Sequence, residues 1–369
     1  MGKSGKAVFF LGVGEPLEDR EYPLSDELEP GAILVKTKIA TVCGSDMHSW
    51  NGRRPFPTPS ILGHEGVGIV EKMSDRDAND ALGKRLSVGD RITWTIMATC
   101  GDCIFCQDYV LPQKCLNLFK YGHSISDVPP YFLGTFSEYV YLKPGTGIFK
   151  LPESMPDETA SPLMCAAATV AGGLDRIGVN SGDTVVIQGA GMLGLYAAAF
   201  AKASGASQVI IVDILDTRLE MAMRFGVDRT LNAEKLNCDE QVEAVRELTE
   251  GKGADLLIEV TGFAKVVETG IKMLRIGGRY LLHGALYPND TFTLLSHDVI
   301  TKCLTLLGRH NYEPRHLGMA INLVDRNQER FPFFELAGPR YPMSAEGVTE
   351  AMKSLERGEG IRPIVEPCS

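Results

Sequence analysis

Apolar and polar positions follow two rhythms along this chain. Residues 7–11 form a short apolar run that reads as a first strand, and an acidic stretch, residues 15–21, follows. Across residues 32–70, short β-branched runs alternate with Gly and Pro, the pattern of short antiparallel strands. Asp75, Asp77, Asn79 and Asp80 interrupt it, so residues 73–86 are expected as an exposed loop. Strand-like runs resume at 91–96 and 136–142, with a cysteine-rich lobe between them. After Pro162 the period changes: strands expected at 184–188, 209–213, 255–260 and 279–283 alternate with helices at 193–203, 218–225 and 240–249, each ending near a glycine. That alternation predicts a doubly wound parallel sheet, an α/β fold. From about Pro314, Pro-rich loops and one helix, 345–356, read as a return to the first domain. The expected division is 1–160 with 314–369, and 161–313, and no internal repeat is visible.

Composition narrows the partners. A chain of 369 residues has room for about two domains and buries most of its unfolded surface without disulfides. Its net charge of −10 argues against nucleic acid or an anionic membrane, which need clustered Lys and Arg, and leaves a small molecule as the default partner. The opening apolar run is too short to span a bilayer, Lys6 stands where myristoylation prefers Ser or Thr, and the last three residues are not a peroxisomal address. A soluble, cytoplasmic protein is the expectation. Of nine cysteines, Cys238, Cys303 and Cys368 have no evident partner and read as plain thiols.

The chemistry begins at Gly189-Ala190-Gly191-Met192-Leu193-Gly194, where an apolar strand runs into glycines and a helix follows. Glycines there permit the tight turn and let a pyrophosphate approach the free N–H groups of the helix start. Asp213 ends the next strand, nineteen residues after Gly194, where a carboxylate can take both hydroxyls of an adenosine ribose and repel a 2′-phosphate. That favours NAD over NADP. Arg218, five positions on, either softens this discrimination or is a solvated helix charge.

Cys100, Cys103, Cys106 and Cys115 place four thiols within sixteen residues, which suits a closed tetrahedral zinc site that holds a lobe together. Cys43, His64 with Glu65 beside it, and Cys165 are dispersed. Each in isolation reads more readily as a packing thiol or a structural histidine.

The motifs Cys43-Gly44-Ser45-Asp46-Met47-His48, Gly63-His64-Glu65-Gly66-Val67-Gly68 and Gly89-Asp90-Arg91, with the four-cysteine lobe, resemble in order and spacing the zinc-containing alcohol dehydrogenases of the medium-chain dehydrogenase/reductase superfamily. The resemblance covers nearly the whole chain. It implies a GroES-like β-barrel catalytic domain, a Rossmann domain, two zinc ions per chain and a homodimer or homotetramer. It also implies a catalytic zinc on Cys43, His64 and Cys165, with Glu65 an alternative or intermittent ligand and Asp46 orienting the histidine. Ser45 would accept the alcohol proton and His48 pass it on, while Arg362 would meet the cofactor pyrophosphate. The chain departs from the family in a one-residue-longer gap before Cys115 and in the polar loop 74–84, where a glycine is usual after Gly68.

In that resemblance the stretch after the lobe borders the substrate. Lys120 and His123, with Trp50, Arg53 and Arg54, would receive an anionic head group, unless they are simply solvated charges. The runs 111–115 and 119–123 also resemble a branch provisionally associated with phosphonate catabolism. The substrate expected is a polar secondary alcohol or polyol, phosphonate- and carboxylate-bearing ones included. The competing readings are a zinc-free quinone or enoyl reductase and a nucleotide-binding member without turnover.

Overall fold

The computed structural model describes residues 3–75, 77–284 and 290–368. The chain divides into two compact units: Met1–Cys165, Glu313–Asp325 and Phe333–Ser369 form one, and Ala166–Tyr312 with Arg326–Pro332 the other. Residues 326–332 go with the second unit because Phe331, 2% exposed, packs over Gly226, where a Cβ would come within 3.0 Å of the ring. Among the described residues no helix is long and apolar enough to cross a membrane.

The first unit is a curled, mainly antiparallel sheet of the GroES-like kind. Its strands run in the order Ala337–Pro342, Arg362–Glu366, Ile33–Thr41, Glu65–Met73, Arg91–Ala98 and Phe119–Lys120. Tyr139–Leu142 pairs with Ile33–Thr41, and Thr146–Lys150 with Arg91–Ala98. A three-stranded sheet, Glu18–Pro23, Ser4–Phe10 and Ser60–Ile61, encloses a core of Phe9, Phe10, Phe132 and Phe136. The sheet closes tightly at Gly68. A Cβ there would lie 2.3 Å from Val35 Cγ1 and 2.7 Å from the Lys36 carbonyl oxygen, so only glycine allows the approach.

Two sequence expectations change here. The run 32–70 is not strands alone, because Gly44–Trp50 is a helix in which Asp46 accepts the Cys43 N–H at 2.9 Å. The acidic stretch 73–86 is not wholly exposed either. Asp80 is 5% exposed and accepts the N–H groups of Leu82, Lys84 and Lys150, and Leu86 beneath it is 1% exposed. A short polar side chain that satisfies local amides can turn the chain inside the protein as readily as in water.

The second unit is a six-stranded parallel sheet in the order Arg229–Asn232, Gln208–Asp213, Thr184–Gln188, Ala254–Glu259, Leu274–Leu282 and Thr305–Gly308. Its central strands each hold a continuous apolar run between polar ends, Val185–Ile187, Val209–Val212 and Leu256–Ile258, as strands covered on both faces do. The order reverses between Thr184–Gln188 and Ala254–Glu259, the switch point beyond whose carboxyl ends ligands bind in such sheets.

Candidate metal centres and dinucleotide site

Within the first unit, Cys43, His64, Glu65 and Cys165 present donor atoms that all lie within 4.8 Å of one another. Cys43 ends the loop before the Gly44–Trp50 helix, and Glu65 opens a central strand with His64 just before it. Cys165 sits directly before the helix Ala166–Ile177, after the tight turn Ser161–Met164. The Cys43 and Cys165 sulfurs are 3.9 Å apart. A tetrahedral zinc with bonds of about 2.3 Å has sulfur–sulfur edges of about 3.8 Å, so the pair is spaced for a shared metal.

The surrounding groups orient this set. Asp46, 1% exposed, meets His64 Nδ1 at 3.1 Å through one oxygen and accepts the Cys43 N–H through the other. This leaves His64 Nε2 for the sulfur side, the arrangement in which a carboxylate fixes the tautomer of a ligating imidazole. Glu65 is fully buried. Its Oε2 accepts the Thr41 hydroxyl at 2.6 Å and forms an ion pair with Arg362 Nε at 3.1 Å, while Oε1 has no hydrogen-bond partner.

The ionisable groups perturb one another strongly. The Cys165 sulfur, with the charges of Arg362 and His64, holds the Cys43 thiol well below its usual range against the effect of burial, and Cys165 is pushed up. Burial opposes charge on His64, but Asp46 and Cys43 outweigh it and raise the imidazole to about 10. Burial pushes Glu65 up to about 8 against the pull of Arg362. Two sulfurs, an imidazole and an unmatched carboxylate oxygen, packed together out of water, suit a divalent cation that displaces their protons.

The four-cysteine lobe passes the same test. Cys100, Cys103, Cys106 and Cys115 converge within 4.8 Å, with Cys103–Cys106 at 3.5 Å, Cys103–Cys115 at 3.9 Å and Cys115–Cys100 at 3.3 Å, and all four are free thiols. The N–H groups of Cys100 and Asn117 each point at Cys115 Sγ from 3.3 Å, which stabilises a thiolate. The longer gap before Cys115 is taken up by the turn Pro112–Lys114 without withdrawing the ligand.

In the second unit, Thr184–Gln188 leads through Gly189 to a helix, Met192–Ala203, whose N-cap is Gly191. A Cβ on Gly194 would fall 1.8 Å from the Gly189 carbonyl oxygen, whereas one on Gly191 meets nothing within 4 Å. One glycine is required for packing, and the other leaves room for a phosphate. Asp213, 9% exposed, accepts the Ala190 N–H at 2.7 Å and the Leu215 N–H at 3.0 Å on different oxygens, so each oxygen keeps a lone pair for a ribose hydroxyl. Arg218 is exposed in the first turn of the next helix, Asp216–Met223.

Two families match the chain: the alcohol dehydrogenase GroES-like domain over residues 29–153, and the zinc-binding dehydrogenase over 193–326. Among curated proteins the chain is similar to 5-exo-hydroxycamphor dehydrogenase of Pseudomonas putida, 32% identical with 95% of each chain covered. It is also similar to D-xylulose reductase A of Aspergillus niger, 31% identical over 94% of this chain and 92% of the other. The solved structure of an alcohol dehydrogenase from Thermotoga maritima superposes with a TM-score of 0.94 at 32% identity, covering both chains in full. The chain belongs to the zinc-type alcohol dehydrogenases of the medium-chain dehydrogenase/reductase superfamily.

Around the first centre of this dehydrogenase, the residues expected to face substrate separate. His123 lies against His64, ring centroids 5.5 Å apart, and against Phe56 at 5.6 Å. Burial, with the charges of His64 and Arg54, holds it well below its usual range. The neutral ring donates from Nδ1 to the Tyr121 carbonyl at 2.9 Å and accepts on Nε2 from Arg54 Nη2 at 2.9 Å. Lys120 is brought to about 8 by burial, with the Cys165 charge opposing the shift.

Arg54, not Arg53, is the arginine that reaches this group. Arg53 is exposed, while Arg54 donates to the Ser45 carbonyl at 2.8 Å and to the hydroxyls of Ser45 at 3.2 Å and Ser49 at 2.9 Å. Trp50 packs instead on Phe10, 6.3 Å between rings, and lines a separate cavity of 820 Å³ with Val13, Leu17 and Ala345. Its large apolar surface is taken into the core.

Arg362, expected at the cofactor, is 5% exposed and engages Glu65 and the Cys43 sulfur, the latter at 3.4 Å. Sequence reasoning had no signal for Thr41, Ser161 or Phe56. Thr41 bridges Glu65 and Ser161, and a lone Thr on a strand looks like any other.

Proposed function

We propose that the chain is an NAD-dependent dehydrogenase of polar or anionic secondary alcohols. The observation that carries this reading is the convergence of Cys43, His64, Glu65 and Cys165 on one point. Cys43, His64 and Cys165 would hold zinc, with Glu65 exchanging between the metal and Arg362. The four-cysteine lobe would hold a second zinc, and metal analysis giving about two zinc per chain tests the count. One zinc would leave only the lobe, and none would favour a zinc-free reductase.

When bound at the first centre, zinc supplies Lewis acidity that stabilises developing negative charge on the alcohol oxygen. Ser45 Oγ takes the alcohol proton, and its geometry is set by the two bonds from Arg54 Nη2. His48, at the end of the same helix, receives that proton. Burial, with the charges of Arg54 and Arg53, lowers its pKa and keeps it in the neutral form that can accept near pH 7.

Asp213 sets the preference for NAD, since its free lone pairs suit ribose hydroxyls and its charge repels a 2′-phosphate. Asp213→Asn is expected to lower kcat/KM with NAD by roughly 10- to 100-fold and to narrow the gap to NADP, from the loss of a charged hydrogen bond. A wild-type preference for NADP in steady-state assays would defeat this assignment.

Lys120, Arg54 and His123 define the substrate class, with the Lys120 ammonium the charge closest in kind to an anion receptor. Lys120→Met is expected to raise KM for carboxylate- or phosphonate-bearing alcohols about tenfold and to leave neutral ones unchanged. For the wild type, KM for those anions should rise as pH climbs through about 8, where the ammonium loses its proton. The relatives named for hydroxycamphor and xylulose favour a second reading, a neutral polyol or cyclic alcohol. Equal rates across neutral and anionic panels would support that reading instead.

A further inference from the structure

A run of buried hydroxyls ties together the three segments that carry the first centre. Thr41 lies directly opposite Glu65 in the ladder between Ile33–Thr41 and Glu65–Met73, and opposite Ile364 on its other side. Side chains directly across a sheet share a face, and so do residues two apart along a strand. Glu65, Thr41, Ile364 and Arg362 therefore stand on one face. That placement brings the Thr41 hydroxyl to 2.6 Å from Glu65 Oε2 and pairs Arg362 Nε with the same oxygen at 3.1 Å.

Behind Thr41 the run continues to Ser161, whose Oγ is 2.9 Å from Thr41 Oγ1. Thr41 has one hydroxyl proton and gives it to the carboxylate, so Ser161 is the donor to Thr41. Thr41, Glu65 and Ser161 have no exposed surface, and buried hydrogen bonds that point one way strengthen each other. Ser161 opens the turn that delivers Cys165, Thr41 stands two residues before Cys43, and Glu65 follows His64. The same turn meets the Glu65 strand again, where the Gly66 N–H points at Met164 Sδ from 3.1 Å.

The two oxygens of Glu65 are thus unequal. Oε2 is held by a hydroxyl and a guanidinium, whereas Oε1 is buried without a hydrogen-bond partner. For the carboxylate to swing to a metal on Cys43, His64 and Cys165, the Thr41 hydroxyl must give up its acceptor in a place shut off from solvent. Packing alone does not ask for hydroxyls here, since an apolar pair of the same shape would be nearly as stable.

We propose that Thr41 and Ser161 are positioning residues that hold Glu65 on the Arg362 side and so keep the fourth position of the metal open to substrate, an inference that rests on reading Cys43, His64 and Cys165 as the ligands. The test uses the protein with cobalt(II) in place of zinc, whose visible absorption reports the ligand set, and imidazole as the probe of the open position. The closed four-cysteine lobe has no vacancy for imidazole and stays silent.

Wild type is expected to bind imidazole with a change in the cobalt spectrum. T41V frees Glu65 to take that position and should bind imidazole about tenfold more weakly, the size of one hydrogen bond to a charged group. T41S keeps the hydroxyl and should match wild type, and T41V combined with E65Q, which removes the competing charge, should regain most of the lost affinity. A residue needed only for packing would lower the melting temperature without moving the imidazole affinity. If T41V binds imidazole as wild type does, or E65Q restores nothing, the proposal is wrong. Should T41V fail to fold, S161A carries the same comparison, with a loss of about threefold expected and an unchanged affinity overturning the proposal. A wild-type cobalt spectrum that ignores imidazole would defeat the reading of the metal centre first, and this proposal with it.

Discussion

Cys43→Ser is expected to cut turnover by at least about 10³-fold, since a Lewis acid contributes several kcal/mol to the barrier and each 1.4 kcal/mol is a factor of ten. Zinc content should fall from two per chain to one, because the four-cysteine lobe shares no ligand with Cys43. Thermal stability should move much less than activity. Asp46→Asn forms a graded companion. Its side chain can still accept the Cys43 N–H but no longer brings a charge to His64 Nδ1, and a loss of roughly 10- to 100-fold in zinc affinity is the usual size of such a change. Full activity in Cys43→Ser with two zinc retained would mean that the convergent cluster is not the reacting centre.

Cys115→Ser should produce the opposite signature. Cys115 is the buried member of its cluster, 6% exposed, and two backbone N–H groups already point at its sulfur. Structural zinc contributes on the order of 10 kcal/mol in isolated small domains, and losing one thiolate of four forfeits a part of that. We expect the melting temperature to drop by roughly 10 °C, a few kcal/mol for a unit of this size, with kcat per remaining zinc nearly unchanged below the transition. Scanning calorimetry with zinc analysis of the same sample checks both halves. An unchanged melting temperature at full zinc would show that the lobe stands without a metal.

The two clusters were legible in the sequence to different degrees, for a physical reason. Four cysteines within sixteen residues must lie close in space, so their spacing alone announces a site. Cys43, His64 and Cys165 are separated by strands and a helix, and only a resemblance over the whole chain joins them. The parallel-sheet strands were readable because burial on both faces leaves continuous apolar runs, as in the Thr184–Gln188 strand, whose bounds match the expectation. The helix ends were less clear: Ala345–Glu356 has the bounds expected and the glycine-loop helix starts one residue early, at Met192, but Asp216–Met223 and Cys238–Leu248 each start two residues before the expected 218 and 240.

What stayed hidden was the direction of side chains on short elements. Nothing in the order Trp50, Arg53, Arg54 says which of them turns toward His123, because a hydrogen bond from Arg54 to Ser45 and apolar burial of Trp50 decide it. Asp80 misled in the same way, since its three amide bonds exist only after the turn has closed. Arg362 is a further case, since its place in the sequence said nothing of the Glu65 and Cys43 that the structure gives it for neighbours.

The strand Arg362–Glu366 lies between Ala337–Pro342 and Ile33–Thr41, with Val365 opposite Ala40, and its arginine reaches a cysteine 319 residues earlier. Residue 362 must therefore leave the ribosome before this sheet can acquire that strand or Cys43 the Arg362 guanidinium beside it. The four cysteines of the lobe, by contrast, can come together as soon as residue 115 clears the exit tunnel. The two clusters thus assemble at different times, the local one early and the dispersed one late.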